Sequence, residues 1–111
     1  MVQAPQWHVY MIRCGDGALY TGIATDVSRR LAEHRGGKSK GARYLRGRGP
    51  LQLVLEKVIG DKGLALRVEA RIKRLPRAAK QRLIRGDEVL ERLVTQAKQA
   101  QGAGTGRARI P

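Results

Sequence analysis

Cysteine occurs once in the 111 residues, at Cys14, which excludes an internal disulfide and a cysteine-based zinc cluster. Packing is the expected job of that side chain. Long apolar runs are also missing. A stretch such as Leu53-Val54-Leu55 falls far short of the ~20 residues that span a bilayer, so no transmembrane helix and no membrane partner are expected. The opening Met1-Val2-Gln3-Ala4-Pro5-Gln6 has neither a basic nor a long apolar stretch and does not read as a secretory signal, which points to the cytoplasm. Acidic residues are scarce: 9 Asp plus Glu stand against 23 Lys plus Arg, a formal net charge of +14. So many like charges repel one another and call for a polyanionic partner. The chain is too short for two full domains, and its 41% hydrophobic content argues for one folded core rather than wholesale disorder.

The local patterns describe a small α/β (α+β) domain. Trp7 to Arg13 and Ala18 to Ile23 are rich in strand formers, and Gly15-Asp16-Gly17 between them predicts an antiparallel hairpin. A three-residue loop sets Cys14 opposite Ala18 and Ile12 opposite Tyr20. Side chains alternate along a strand, so Tyr10 then shares a face with Tyr20 as its diagonal neighbour. Asp26 can cap a helix with Val27, Leu31 and Ala32 inward, ending before Gly36-Gly37, on which Arg30 and His34 project from one side. Lys38 to Pro50 reads as a basic loop. Leu51 to Ile59 is a third strand whose central apolar run predicts burial. Asp61 opens a helix with Leu64, Val68, Ile72 and Leu75 in one stripe, Pro76 interrupts it, and Arg77 to Arg85 forms a short helix. Asp87 can cap a last helix, Glu88 to Gln101, with Val89, Leu90, Leu93, Val94 and Ala97 inward. The expected organisation is an arm at 1–6, a domain at 7–86, a helical extension at 87–101 and a mobile tail at 102–111.

The positive charge gathers outside the strands. Between Asp26 and Pro50 lie Arg29, Arg30, Arg35, Lys38, Lys40, Arg43, Arg46 and Arg48, and nine further Lys or Arg lie between Asp61 and Arg85. Such blocks suit a nucleic-acid backbone, whose counterions they release on binding. Taken singly, Tyr10 and Tyr20 read as half-buried sheet residues, His34 as a favourable helix-end partner, and Glu69 as an ion-pair partner of Lys73 or Arg67.

Their order tells more. Val9-Tyr10-Met11, Tyr20-Thr21-Gly22, Arg29-Arg30-Leu31-Ala32-Glu33-His34, Gly41-Ala42-Arg43-Tyr44 and Glu69-Ala70-Arg71-Ile72-Lys73 follow one another along the chain. This series resembles the GIY-YIG nuclease superfamily, and within it the small stand-alone bacterial branch, over roughly Trp7 to Arg85. Val9, Met11 and Thr21 depart from the name-giving motifs. The late Asn that several superfamily members use has no counterpart, because the chain contains no Asn.

The resemblance implies a three-stranded antiparallel sheet flanked by helices and a metal-dependent endonuclease that hydrolyses phosphodiester bonds in DNA, single-stranded or branched. It implies catalytic roles for Tyr10, Tyr20, Arg30, His34 and Glu69. Glu69 would hold one divalent cation, Mg²⁺ or Mn²⁺, Arg30 would engage the scissile phosphate, and a tyrosine would take the proton of the attacking water, its pKa lowered by the cation and Arg30. Nucleic-acid contacts fall to Arg29, Arg35, Lys38, Lys40, Arg43, Tyr44, Arg46 and Arg48. These contacts reach phosphates rather than base edges, so cutting is expected to be structure-selective or weakly sequence-selective. The competing class is a non-catalytic basic nucleic-acid-binding module, which explains the charge but not the order of the five residues.

Overall fold

A computed structural model describes residues 4–36 and 42–107, with the side chains of 42, 43, 87 and 101–107 outside the description. Strand β1 (Trp7–Arg13) turns into β2 (Leu19–Ala24), and β3 (Gln52–Gly60) pairs with the other edge of β1. The sheet is three-stranded and antiparallel, in the order β2-β1-β3. The hairpin has the register expected from a three-residue loop: Ile12 faces Tyr20, and the Cys14 amide donates to the Ala18 carbonyl at 2.8 Å. Gly17 turns the chain with φ +89°, a conformation that side chains with a Cβ rarely adopt.

Central strand β1 is covered on both faces, so its alternation divides two cores. Val9 and Met11 join the core built with α3 (Lys62–Lys73), α4 (Arg77–Arg85) and α5 (Asp87–Arg107). Tyr10 and Ile12 join the other, with Cys14, Val27 of α1 (Val27–Arg35), Leu45 of α2 (Ala42–Leu45) and Leu51. The Asp26 and Asp61 carboxylates accept from the Arg29 and Leu64 amides at 3.1 and 2.8 Å, which fixes where α1 and α3 begin.

Four expectations change. The basic loop contains the short helix α2, which buries Leu45. The central run of β3 is half-buried, because β3 is an edge strand with only one paired neighbour. Ala32 is exposed on α1, and His34 takes the buried position. Helix α5 continues through Arg107, past the expected end at Gln101, since an established helix adds a hydrogen bond for each further residue it orders.

Helix α5 is part of the main core. Leu90, Leu93, Val94 and Ala97 are buried with Val68 and Ile72 of α3, and Lys57 of β3 pairs with Glu91. Leu90→Ala should therefore destabilise the whole domain by ~2–5 kcal/mol, read from the urea midpoint. Among the described residues, no helix is long and apolar enough to cross a membrane.

Candidate active site

The hairpin brings the two tyrosines together. Tyr10 lies opposite Gly22, two residues beyond Tyr20, and the Tyr10 and Tyr20 ring centroids are 6.4 Å apart. Gly22 is needed for this approach. A Cβ there would sit 2.6 Å from the Tyr10 hydroxyl oxygen and 2.7 Å from its Cζ, so any larger residue would displace the phenol.

Helix α1 adds the next two groups, one turn apart. His34 is buried at 4% exposure, and its Nε2 lies 2.8 Å from the Tyr10 hydroxyl. Its ring meets Tyr20 edge-on at 5.2 Å. Arg30 turns to the open side of the tyrosines, where Glu33 holds its Nε at 3.1 Å. Helix α3 passes β2, and from it Glu69 reaches the same space, paired with Lys73 at 3.2 Å. Tyr10, Tyr20, Arg30 and Glu69 thus line one cavity of about 570 Å³, together with Trp7, Gly22, Ile23, Glu33, Lys62 and Leu66.

Burial controls the titration of this cluster. Desolvation pushes the Tyr10 phenol far above its ordinary value, with the charge of a Tyr20 phenolate adding to it; Arg30 opposes both and does not outweigh them. The Tyr20 phenol is also raised by burial, against Lys73, Arg30 and a hydrogen bond with Tyr10, while Glu69 reinforces the rise. Arg30 by itself therefore does not produce the depressed tyrosine expected from the sequence. His34 is shifted down, by burial first and Arg30 second, with Glu33 opposing, so its imidazole is neutral at pH 7 and available as an acceptor.

The two shifts act on stability in opposite directions. The stabilisation from an uncharged Tyr10 is complete below its unfolded value of ~10 and is lost as the pH rises beyond it. That from a neutral His34 is complete above its unfolded value of ~6.5 and is lost as the pH falls. Urea midpoints should accordingly drop on the acid side of ~6.5, and His34→Gln should flatten that limb.

The described residues among those expected to contact nucleic acid make different local contacts. Arg29 pairs with Glu33 at 3.4 Å on the outer side of α1. Arg35 donates to the Leu51 carbonyl at 2.8 Å and shares with Arg46 a separate cleft of about 500 Å³ behind His34. Tyr44 is 45% exposed; its ring lies 5.7 Å from that of Tyr20, with the Arg48 guanidinium 4.4 Å above it. Arg48 also pairs with Asp16 of the hairpin turn at 3.0 Å. Lys38, Lys40 and the side chain of Arg43 lie outside the described residues.

The donor set fits a hard divalent cation held weakly. Glu69 offers carboxylate oxygens to the cavity beside two phenols, and oxygen is what Mg²⁺ and Mn²⁺ prefer. Among the described residues no group of three or more His, Cys, Asp or Glu gathers for a metal. Water and a substrate phosphate would have to supply most of the shell.

Sequence reading missed Trp7, Ile23, Glu33, Lys62 and Leu66 as lining residues. One signal was available: Lys62, Leu66 and Glu69 recur at i, i+4 and i+7 on a face of α3 separate from the buried Leu64, Val68 and Ile72. Trp7 and Ile23 carried none, because they pack on the α3 core while the tyrosines belong to the other. The cavity joins both around the edge of β2.

Two phenols, a guanidinium and a carboxylate face one cavity, with a buried imidazole behind Tyr10, and the GIY-YIG catalytic domain, a nuclease class, matches residues 6–82. The chain belongs to the GIY-YIG family, a domain that implies nuclease activity on nucleic acid. Its relatives include the UPF0213 protein YhbQ of Salmonella arizonae, 49% identical over 80% of this chain and 87% of that protein. A UPF0213 protein of Klebsiella pneumoniae is 47% identical over 83% of this chain and 85% of its own length. The solution NMR structure of the UPF0213 protein BH0048 from Bacillus halodurans is 44% identical, covering 71% of this chain and 82% of that one, with a TM-score of 0.46.

Proposed function

We propose that this protein is a divalent-metal-dependent endonuclease that hydrolyses phosphodiester bonds in DNA with weak sequence selectivity, using Tyr10, Tyr20, Arg30, His34 and Glu69. The observation that carries this reading is the 2.8 Å contact between the Tyr10 hydroxyl and His34 Nε2, within a ring cluster that opens onto Arg30 and Glu69. A basic module that only bound nucleic acid would have no use for a buried imidazole aimed at a buried phenol.

Arg30 binds the scissile phosphate through its planar donors, exchanging the Glu33 carboxylate for a phosphate oxygen. Tyr20, the more exposed of the two phenols, orients the attacking water and takes its proton. Tyr20 passes its own proton on to Tyr10, whose ring centroid lies 6.4 Å from its own, and Tyr10 passes its proton to neutral His34 Nε2, 2.8 Å from the Tyr10 hydroxyl. The relay suits phenols with raised pKa values, because neither has to exist as a free phenolate before attack. Glu69 would hold the cation, which when bound supplies charge stabilisation at the departing oxygen.

The reading is tested by incubating the purified chain with single-stranded DNA, duplex DNA and RNA, with and without Mn²⁺. Mn²⁺-dependent shortening of the DNA is expected, and failure to cut any of the three would leave the binding module as the better description. Binding should also weaken steeply between low and moderate salt, measured by anisotropy. A salt-independent Kd would contradict the phosphate contacts.

A further inference from the structure

Tyr10, Tyr20, Arg30 and Glu69 occupy only part of the cavity. Its other end is walled by Trp7, Ile23 and Leu66, with Lys62 at its rim. Leu66 is 45% exposed on α3, one turn from both Lys62 and Glu69, and the buried stripe of that helix does not require it there. Trp7 is half-buried, and the Lys62 ammonium lies 5.2 Å from the centre of its ring. The wall is thus an aromatic plane and two aliphatic side chains, continuous with the phosphate end and bordered by a mobile-stemmed cation.

Resting on the nuclease reading, we propose that this end of the cavity is a subsite for one unpaired nucleobase next to the phosphate being cut, with Trp7 as its stacking platform. Lys62 contacts the neighbouring phosphate. Charge supports this occupant: a phosphate is a stronger partner for an ammonium than an indole face, so the strand draws Lys62 outward and uncovers the ring. Geometry supports it as well. The base and its phosphate belong to one nucleotide, and both ends belong to one cavity. A base inside a duplex is stacked between its neighbours and must leave the stack to reach a side pocket, whereas a single strand offers it at least cost. Stacking on an aromatic ring tolerates every base, so the subsite selects strandedness without selecting sequence.

Trp7 is the only tryptophan, so indole emission reports on this wall alone. The protein is titrated in EDTA, where nothing is cut, with a short single-stranded DNA, with the same strand made of abasic spacers, and with the blunt duplex; anisotropy follows binding and emission follows the subsite. The base-bearing strand should quench Trp7, while the abasic strand binds without quenching and the duplex quenches little. Equal quenching by the abasic strand or by the duplex would overturn the subsite. With Mn²⁺, removing only the base beside the cut should slow cleavage about ten-fold, and Leu66→Ser should slow cutting of the intact strand by a similar factor. Cleavage indifferent to that base would overturn the proposal while leaving the nuclease reading intact. Base-specific quenching by a protein that cuts nothing would uphold the subsite and sink the nuclease reading instead.

Discussion

Glu69→Ala should lower Mn²⁺-dependent cleavage by at least about a thousand-fold while leaving DNA affinity unchanged or tighter. Glu69 is the one carboxylate that α3 presents beside the tyrosines, and it is paired with Lys73 at 3.2 Å. On the proposed reading, removing it takes away the cation's anchor, yet it also removes a negative charge from the side of the cavity that would meet the phosphates. Glu69→Gln keeps the shape and loses the charge, so it should match the alanine variant. Activity that survived in both would show that the cation is held elsewhere. Far-UV circular dichroism should stay the same, since the Glu69 side chain lies on the cavity face of α3 rather than in the buried stripe.

Tyr20→Phe and Tyr10→Phe should each cost ~10²–10⁴ in kcat, with little change in binding. The double variant should be barely worse than either single one, because in the proposed relay both phenols serve one proton path. Tyr10→Phe also severs the link to His34, so the acid limb of the pH–rate profile, set by His34 below its ordinary ~6.5, should vanish in that variant. Normal cutting by both single variants would end the relay mechanism. Normal cutting by Tyr10→Phe alone would leave Tyr20 as a base acting without His34.

Much of this site was legible because it rests on short-range rules. Gly15-Asp16-Gly17 set the loop length, the loop length set the register, and the register put Tyr10 and Tyr20 on one face. The four-residue spacing of Arg30 and His34 put both on one side of α1 once Asp26 capped it. Glu69 stood out as an acid in a basic segment, at the edge of the stripe that buries Val68 and Ile72. The α2 turn and the half-buried β3 were not legible, because each depends on which neighbours the chain finds on docking. Leu45 forms no periodic pattern with the residues around it, yet it is buried once α2 meets the second core.

What the sequence by itself determined is the set of elements, the hairpin register and the order of the chemical groups, since strand alternation, helix spacing and capping act within a few residues. Tertiary structure alone decided that His34 is buried under Tyr10, that both phenols are raised rather than lowered, and that Trp7, Lys62 and Leu66 share a cavity with Arg30 and Glu69. Desolvation and enclosure are properties of the packed molecule: they arise only when α1 closes on one face of the sheet and α3 passes the edge of β2 from the other.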